Sequence, residues 1–132
     1  HGVIMANAAT LGGHVRLEDG VIMGGLSGVH QFCRVGRQAF IAGGAVVVMD
    51  VSPFSTVQGD RASLKGLNIE GLRRSGMPQE TIAGLKKAFR ILFRSGLALE
   101  EGLKRTREQV GGVPEVDYLM DFLAGSRRGI TR

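Results

Sequence analysis

The chain has 132 residues, of which 43% are hydrophobic and 22% charged, so it suits one globular domain or two small ones and is too apolar to be disordered. No apolar run approaches the ~20 residues of a transmembrane helix, and the single cysteine, Cys33, excludes a disulfide framework. Residues 1–60 carry three basic and four acidic residues, whereas residues 61–132 carry 14 basic and 8 acidic ones. The second half should therefore attract an anionic partner.

The first half follows a six-residue repeat. An aliphatic residue returns at every sixth position from Met5 to Val47, and a small or β-branched residue follows four positions later, from Ala9 to Val51. Neither a helix of period 3.6 nor a strand of period 2 generates this pattern. We predict a β-helix with three short faces per coil, in which residues three hexads apart stack at the strand spacing of about 4.8 Å. The register is expected to run unbroken from residue 5 to residue 52.

The two repeated positions predict what fills the interior of the coils. Aliphatic residues should form apolar columns, and small residues such as Cys33 should lie where the chain bends, which makes Cys33 a structural thiol. The first coil would expose its apolar column, and the chain begins at His1 rather than Met. We therefore expect earlier coils to be missing, so that the chain is a fragment. Pro53 cannot continue a ladder and marks the end of the repeat.

The second half predicts helices. Residues 58–67 are irregular in pattern, and four helices are expected after them: one from Asn68 to about Gly76, and others over Pro78–Gly96, Leu99–Val110 and Pro114–Gly125. The predicted fold is thus mixed, β then α, with a partial β-helix over residues 1–57 and an α-helical domain over residues 58–132.

Basic residues of the second predicted helix lie largely off its apolar stripe: Lys86, Lys87, Arg90 and Arg94. They form either a solvated face or a docking site for an acidic protein. Nucleic acid is a poorer candidate, because Trp is absent, Tyr118 is the only Tyr, and no binding motif for DNA or RNA is present. The three His residues and Cys33 do not have the spacing of metal ligands.

Three blocks resemble a known family: Gly-Gly-Leu-Ser-Gly-Val-His-Gln-Phe-Cys over 24–33, Asn-Ile-Glu-Gly-Leu-Arg-Arg over 68–74, and Ser-Arg-Arg-Gly-Ile over 126–130. They are similar to the acyl-[acyl carrier protein]–UDP-N-acetylglucosamine O-acyltransferases, which begin lipid A synthesis in bacteria. The resemblance runs through the whole chain with its motifs in order. It implies a left-handed parallel β-helix followed by a small helical domain, in a homotrimer whose active sites lie between neighbouring subunits.

The implied reaction moves an (R)-3-hydroxyacyl chain from acyl carrier protein to the 3-hydroxyl of UDP-N-acetylglucosamine in the cytoplasm, without a cofactor or metal. A His acts as the general base, which is reasonable for a side chain with a pKa near 6.5. On our alignment that His lies upstream of His1, so no catalytic residue is expected in this chain. The basic half matches the region that would meet acyl carrier protein.

The resemblance assigns the remaining site residues position by position. His14 matches a residue lining the groove, and His30 and Gln31 match residues near the sugar nucleotide. Gly43 matches the position that limits acyl length. Asn68, Glu70 and Arg74 match residues that hold the nucleotide, although Asn68 is also a plausible helix cap. Two positions depart from the family pattern: Ser75 stands where Arg is common, and Ala8 where Asn is usual.

Two other functions remain open at this point. One is a related hexapeptide N-acyltransferase of the same pathway, against which the block from Asn68 to Arg74 argues. The other is a non-enzymatic trimeric scaffold or a module that binds acyl carrier protein through the basic helices.

Overall fold

The computed structural model describes residues 1–132 and begins with coils of short parallel strands. The strands are β1 (Ile4–Met5), β2 (Thr10–Leu11), β3 (Arg16–Leu17), β4 (Ile22–Met23), β5 (Gly28–Val29), β6 (Arg34–Val35), β7 (Phe40–Ile41) and β8 (Val46–Val47). Every third strand joins the same sheet: β1, β4 and β7 form the first face, β2, β5 and β8 the second, and β3 and β6 the third. The architecture is the predicted left-handed parallel β-helix followed by helices.

The chain turns through three corners in each coil. We call the turn between the first and second faces the first corner, that between the second and third faces the second corner, and the return to the first face the third corner. One residue of each full-length turn has a left-handed backbone, as at Ala8 (φ 60°), His14 (57°) and Phe32 (65°). Residues other than glycine are uncommon in this conformation, because the Cβ atom then lies too close to the backbone carbonyl oxygen that follows it.

Both columns of the repeat fill the interior. Met23, Ile41 and Val47 of the aliphatic column and Cys33 and Ala45 of the small column are fully buried. At the open end of the β-helix the same columns reach solvent, because Met5 is 41% and Leu11 40% exposed. The predicted exposure of the first coil is thus confirmed.

The last coil is shorter than predicted. Phe40 lies 18 residues after its partner Ile22, but it pairs onward with Thr56, only 16 residues later, and Val35 pairs with Val51 at the same shorter separation. Two residues are therefore missing at the second corner, and the prediction of an unbroken register from 5 to 52 is wrong in this coil.

The Asp50 carboxylate compensates for the shortened corner. In the preceding coil the backbone N–H of Arg16 donates to the carbonyl of Cys33 at 3.1 Å. One coil later the N–H of Arg34 donates instead to Asp50 Oδ1 at 2.8 Å. A side-chain oxygen thus takes the place of a ladder carbonyl, and it satisfies a backbone donor that burial would otherwise make costly.

A β-hairpin follows the coils and includes the stretch whose sequence pattern is irregular. Strand β9 (Ser55–Gln58) continues the first face in parallel with β7, and β10 (Ser63–Leu67) pairs antiparallel to β9 with a bulge between Leu64 and Gly66. The irregular sequence pattern of residues 58–67 does not reveal this hairpin, because the edge of the formed sheet supplies the partner strand. Strand β10 thus lies within the segment that the sequence analysis assigned to the α-helical domain. The division into residues 1–57 and 58–132 stays a prediction.

Four helices complete the chain: α1 (Ile69–Arg74), α2 (Gln79–Arg94), α3 (Leu99–Val110) and α4 (Pro114–Ala124). Their positions agree with the helices expected from sequence. They share one apolar core, in which Phe54 from the end of the β-helix packs among helical residues such as Leu72 and Leu119. None of these helices has the length and apolar character needed to cross a bilayer.

The helices are tied back to the third face. Arg34 donates from a guanidinium nitrogen to the carbonyl of Phe122 at 2.8 Å, and its guanidinium lies 4.2 Å from the centre of the Phe122 ring. At the third corner the Arg37 guanidinium covers the Tyr118 ring at 4.3 Å. Farther along the chain, the N–H of Thr131 donates to the carbonyl of Asp50 at 2.8 Å.

Candidate functional site

The second corner carries three of the predicted site residues. His14 lies in one turn of this corner, and His30 and Gln31 belong to the turn one coil further on. All three side chains are exposed. This corner therefore presents two imidazoles and an amide to whatever lies beside it.

Glycines bring the two coils close together beneath Gln31. A Cβ placed on Gly12 would lie 2.5 Å from the backbone nitrogen of Gln31, whereas a Cβ on Gly13 would meet no atom within 4 Å. The N–H of Phe32 donates to the Gly13 carbonyl at 3.0 Å. Gly12 thus permits the coils to stack, and Gly13 leaves open space beside Gln31.

Phe32 is a neighbour of His14 that the sequence analysis did not assign. The two rings are parallel to within 1° and their centroids are 5.1 Å apart. Both residues occupy the left-handed position of their turns, one coil apart. The 18-residue repeat between positions 14 and 32 was the signal that could have identified this pair. The contact holds the imidazole plane parallel to the Phe32 ring and leaves Phe32 53% exposed.

Gly43 lies at the first corner. Its position is exposed, and a Cβ there would meet the Gly25 carbonyl oxygen at 3.3 Å, tighter than ordinary contact. The N–H of the next residue, Gly44, donates to that same carbonyl at 2.9 Å. Any side chain at position 43 would therefore project from a turn that now presents only backbone. This geometry is compatible with a control on acyl length, which stays a prediction.

Asn68 links the hairpin and α1 to the third corner. Its amide nitrogen donates to the carbonyl of Gln38 at 3.2 Å, and its Oδ1 accepts the N–H of Gly71 at 3.2 Å. Asn68 is therefore the cap of α1, the structural role considered beside nucleotide contact. Its side chain also borders an open cavity of about 340 Å³, lined by Phe40, Thr56, Leu67, Asn68, Ile69 and Glu70.

Glu70 and Arg74 form an exposed ion pair one helical turn apart. Arg74 donates to the Glu70 carboxylate at 2.6 Å, and both side chains are more than three-quarters exposed. Such a pair adds little to stability, because water screens it on every side. Both groups are thus free to exchange their mutual contact for a ligand.

Within one chain these residues do not form a single site. His14, His30 and Gln31 lie at the second corner, Gly43 at the first, and Asn68 beside the third. Residues from different corners could meet in one groove only if the β-helix of a second subunit lay beside this one.

Cys33 is buried beside the second corner. Burial raises the pKa of its thiol, while the neighbouring Arg128 guanidinium opposes that shift. A buried thiol with a raised pKa is a poor nucleophile, which agrees with its structural assignment.

The exposed face of α2 carries Lys86, Lys87 and Arg90, with Arg94 at its end. An open cavity of about 330 Å³ lies along this face, lined by Gly66, Leu67, Ile69, Lys86, Phe89, Arg90 and Arg94. Arg94 donates to the carbonyl of Lys65 at 3.2 Å and thereby joins the helix to the hairpin. The result is a cationic rim around a partly apolar floor.

Residues 50–131 match the family model described as UDP-N-acetylglucosamine O-acyltransferase, domain 2. The acyl-[acyl-carrier-protein]–UDP-N-acetylglucosamine O-acyltransferase of Anaeromyxobacter dehalogenans is 50% identical over 131 residues, which are 99% of this chain and 51% of that protein. The enzyme of the same name from Myxococcus xanthus is 54% identical over 118 residues, covering 89% of this chain and 46% of that protein. The chain spans about half the length of these curated relatives.

Solved structures with similar names also superpose closely on this chain. The UDP-N-acetylglucosamine O-acyltransferase of Moraxella catarrhalis superposes with a TM-score of 0.95 at 38% identity, covering 99% of this chain and 51% of that one. The UDP-N-acetylglucosamine acyltransferase of Arabidopsis superposes with a TM-score of 0.94 at 41% identity, covering 98% and 49%.

Proposed function

The chain belongs to the UDP-N-acetylglucosamine O-acyltransferase family, and we propose that it is the C-terminal part of an enzyme that transfers an (R)-3-hydroxyacyl chain from acyl carrier protein to the 3-hydroxyl of UDP-N-acetylglucosamine. This reaction would be the first step of lipid A synthesis. The observation that carries the proposal is the family match over residues 50–131, joined to the exposed His14, His30 and Gln31 at one corner. The proposed location is the cytoplasm.

The proposed chemistry is an acyl transfer from sulfur to oxygen. A His upstream of His1 takes the proton of the sugar 3-hydroxyl while that oxygen attacks the thioester carbonyl. The carbon–sulfur bond then breaks, and the departing thiolate takes the proton back from the imidazolium to leave as the carrier-protein thiol. In this scheme His14, His30 and Gln31 bind and orient the sugar within the groove, because positioning of the reacting groups supplies much of the rate. Gly43 leaves the adjoining groove open to the acyl chain. The scheme needs no cofactor.

The outer surfaces of the coils support a homotrimer. Ile22 and Phe40 alternate with interior residues along the first face, so their side chains project outward. In the single chain these two apolar residues are only half-buried. The outward positions of the second face are Thr10, Gly28 and Val46, whereas on the third face Arg34 bonds to α4. The first two faces are therefore the ones proposed to meet neighbouring subunits. A trimer would also bring the second corner of one subunit near another corner of the next.

Asn68, Glu70 and Arg74 are proposed to hold the nucleotide end of the substrate across that interface. Arg74 can exchange its exposed pairing with Glu70 for a phosphate oxygen, which a guanidinium binds in a planar fork. Asn68 would contribute beside the neighbouring cavity while it continues to cap α1.

The cationic face of α2 is the proposed docking surface for acyl carrier protein. Lys86, Lys87, Arg90 and Arg94 are exposed, and carrier proteins are acidic. Attraction of this kind raises the association rate and weakens as salt is added.

The decisive experiment titrates UDP-N-acetylglucosamine into the chain by calorimetry, with the oligomeric state measured by light scattering. Arg74→Ala should weaken binding by about tenfold or more, since a hydrogen bond to a charged group contributes about 1.5–3 kcal/mol. Arg105→Ala is the matched control, because Arg105 also pairs with a Glu four residues earlier on an exposed helix. A folded trimer that does not bind the nucleotide, or that binds it equally well in both variants, would refute the site assignment.

A further inference from the structure

A third cavity lies beside the second corner, and none of the assigned site residues lines it. It has a volume of about 200 Å³ and is lined by Phe32, Arg34, Asp50, Gly125, Arg127 and Arg128. We call it the arginine pocket.

The arginine pocket has an excess of positive charge. Asp50 is its only carboxylate, and it already accepts hydrogen bonds from the N–H of Arg34 and the hydroxyl of Ser126. Asp50 also lies 3.7 Å from the Arg34 side chain, so these two charges largely cancel. Arg127 and Arg128 therefore leave the pocket with a net charge of two.

The two remaining guanidiniums also have unused donors. Arg128 donates to the carbonyl of Val48 at 3.2 Å, and Arg127 makes no hydrogen bond or ion pair with the rest of the chain. Each guanidinium has five N–H groups and no acceptor. A concave site with several free guanidinium donors matches the shape and charge of a phosphate group, which accepts hydrogen bonds from such planar forks.

The pocket adjoins the second corner through Phe32. This residue follows Gln31 in the chain, its ring stacks on His14, and it forms one wall of the pocket. A group held by Arg127 and Arg128 would therefore lie at the edge of the surface that presents the proposed substrate-binding residues.

We propose that the arginine pocket binds a phosphate group of a substrate, an inference that rests on the proposed function for the identity of that substrate. Two sources share this chemistry: the phosphodiester of the 4′-phosphopantetheine arm of acyl carrier protein, and the pyrophosphate of the sugar nucleotide. Arg127 is the residue most available to the phosphate, because its guanidinium makes no hydrogen bond or ion pair with another residue of the chain.

The test measures binding of free 4′-phosphopantetheine, pantetheine and UDP-N-acetylglucosamine by NMR titration of the full chain. We expect 4′-phosphopantetheine or the nucleotide to bind about tenfold more weakly to Arg127→Gln, as expected when one charge-assisted hydrogen bond is lost. Pantetheine, which lacks the phosphate, should bind equally weakly to both proteins. Arg105→Gln removes the same charge from an exposed helix and should change nothing.

Each outcome has one meaning. Weakening of 4′-phosphopantetheine alone identifies the carrier-protein arm as the source, and weakening of the nucleotide alone identifies the pyrophosphate. Unchanged affinity for both ligands in Arg127→Gln overturns the proposal. So does an equal weakening of pantetheine binding in that variant, because the effect would then not depend on a phosphate group. Loss of nucleotide binding in Arg74→Ala tests the proposed function separately, since Arg74 lies outside this pocket.

Discussion

Replacement of Asp50 by alanine should destabilise the chain more than any other change of a single carboxylate. The Asp50 side chain is only 2% exposed, and it accepts hydrogen bonds from Arg34 N at 2.8 Å and from Ser126 Oγ at 2.7 Å. Without it, the Arg34 N–H at the shortened corner has no acceptor. The chain provides no carbonyl to replace it, since two residues are missing from that turn.

The magnitude follows from the hydrogen bonds and the ion pair that the substitution removes. An unsatisfied buried donor costs about 1–3 kcal/mol, and the hydrogen bond to Ser126 contributes about 1 kcal/mol. The Arg34 side chain is 28% exposed, so the broken ion pair adds less than a fully buried one would. The expected loss is about 3 kcal/mol in the free energy of unfolding, or about 10 °C in melting temperature for a chain of this length.

Urea unfolding followed by circular dichroism at fixed protein concentration measures this loss. Asp50→Asn keeps one acceptor oxygen and should lose about half as much, while Asp121→Ala, at an exposed position without a side-chain hydrogen bond, should lie within about 0.5 kcal/mol of the unsubstituted chain. Hydrogen exchange should show that the Arg34 amide loses its protection in Asp50→Ala. The reasoning is refuted if that amide stays protected, or if Asp50→Ala is as stable as Asp121→Ala.

Three further outcomes are expected. Gly12→Ala should destabilise the chain by about 1–3 kcal/mol in urea because its Cβ would lie 2.5 Å from Gln31 N, whereas Gly13→Ala has open space and should be neutral; equal losses would contradict the stacking. Leu26→Gly should stabilise the chain by about 0.5–1 kcal/mol, since Leu26 is 75% exposed in a left-handed conformation (φ 62°), and a loss would show that its side chain packs. Burial raises the pKa of Glu18 above 4.5, so the folded state holds this proton more tightly and the Glu18 contribution to stability falls as pH rises from the unfolded pKa through the folded one. Glu18→Gln should flatten the fall in stability that begins as pH rises through the unfolded pKa, and an unchanged profile would refute the assignment.

The period of the sequence predicted most of the β-helix because the interior of a coil accepts one kind of side chain at one spacing. The same pattern concealed the shortened corner. Val51 is a suitable residue for the small position of an unbroken register. Its hydrophobicity therefore could not show that it pairs with Val35 instead. The decisive residue, Asp50, is polar and buried, and its partners come from another coil and from the residues after α4.

Site prediction depended on the same distinction between repeated and unrepeated sequence. Residues separated by 18 share a corner, so the stack of Phe32 on His14 follows from spacing alone. The arginine pocket does not follow from spacing, because Arg127 and Arg128 reach the second corner only through the packing of α4 against Arg34. Tertiary contacts of this kind leave no periodic signal.

The attachment of the final residues to the last coil has a consequence for folding kinetics. Thr131 contacts Met49 across 82 residues of sequence, whereas neighbouring coils pair across 18 or fewer. Contacts between distant segments carry the larger loop-closure entropy and tend to form late. An interaction absent from the transition state alters the unfolding rate and leaves the folding rate nearly unchanged. The tail should therefore lengthen the lifetime of the native state more than it accelerates its formation.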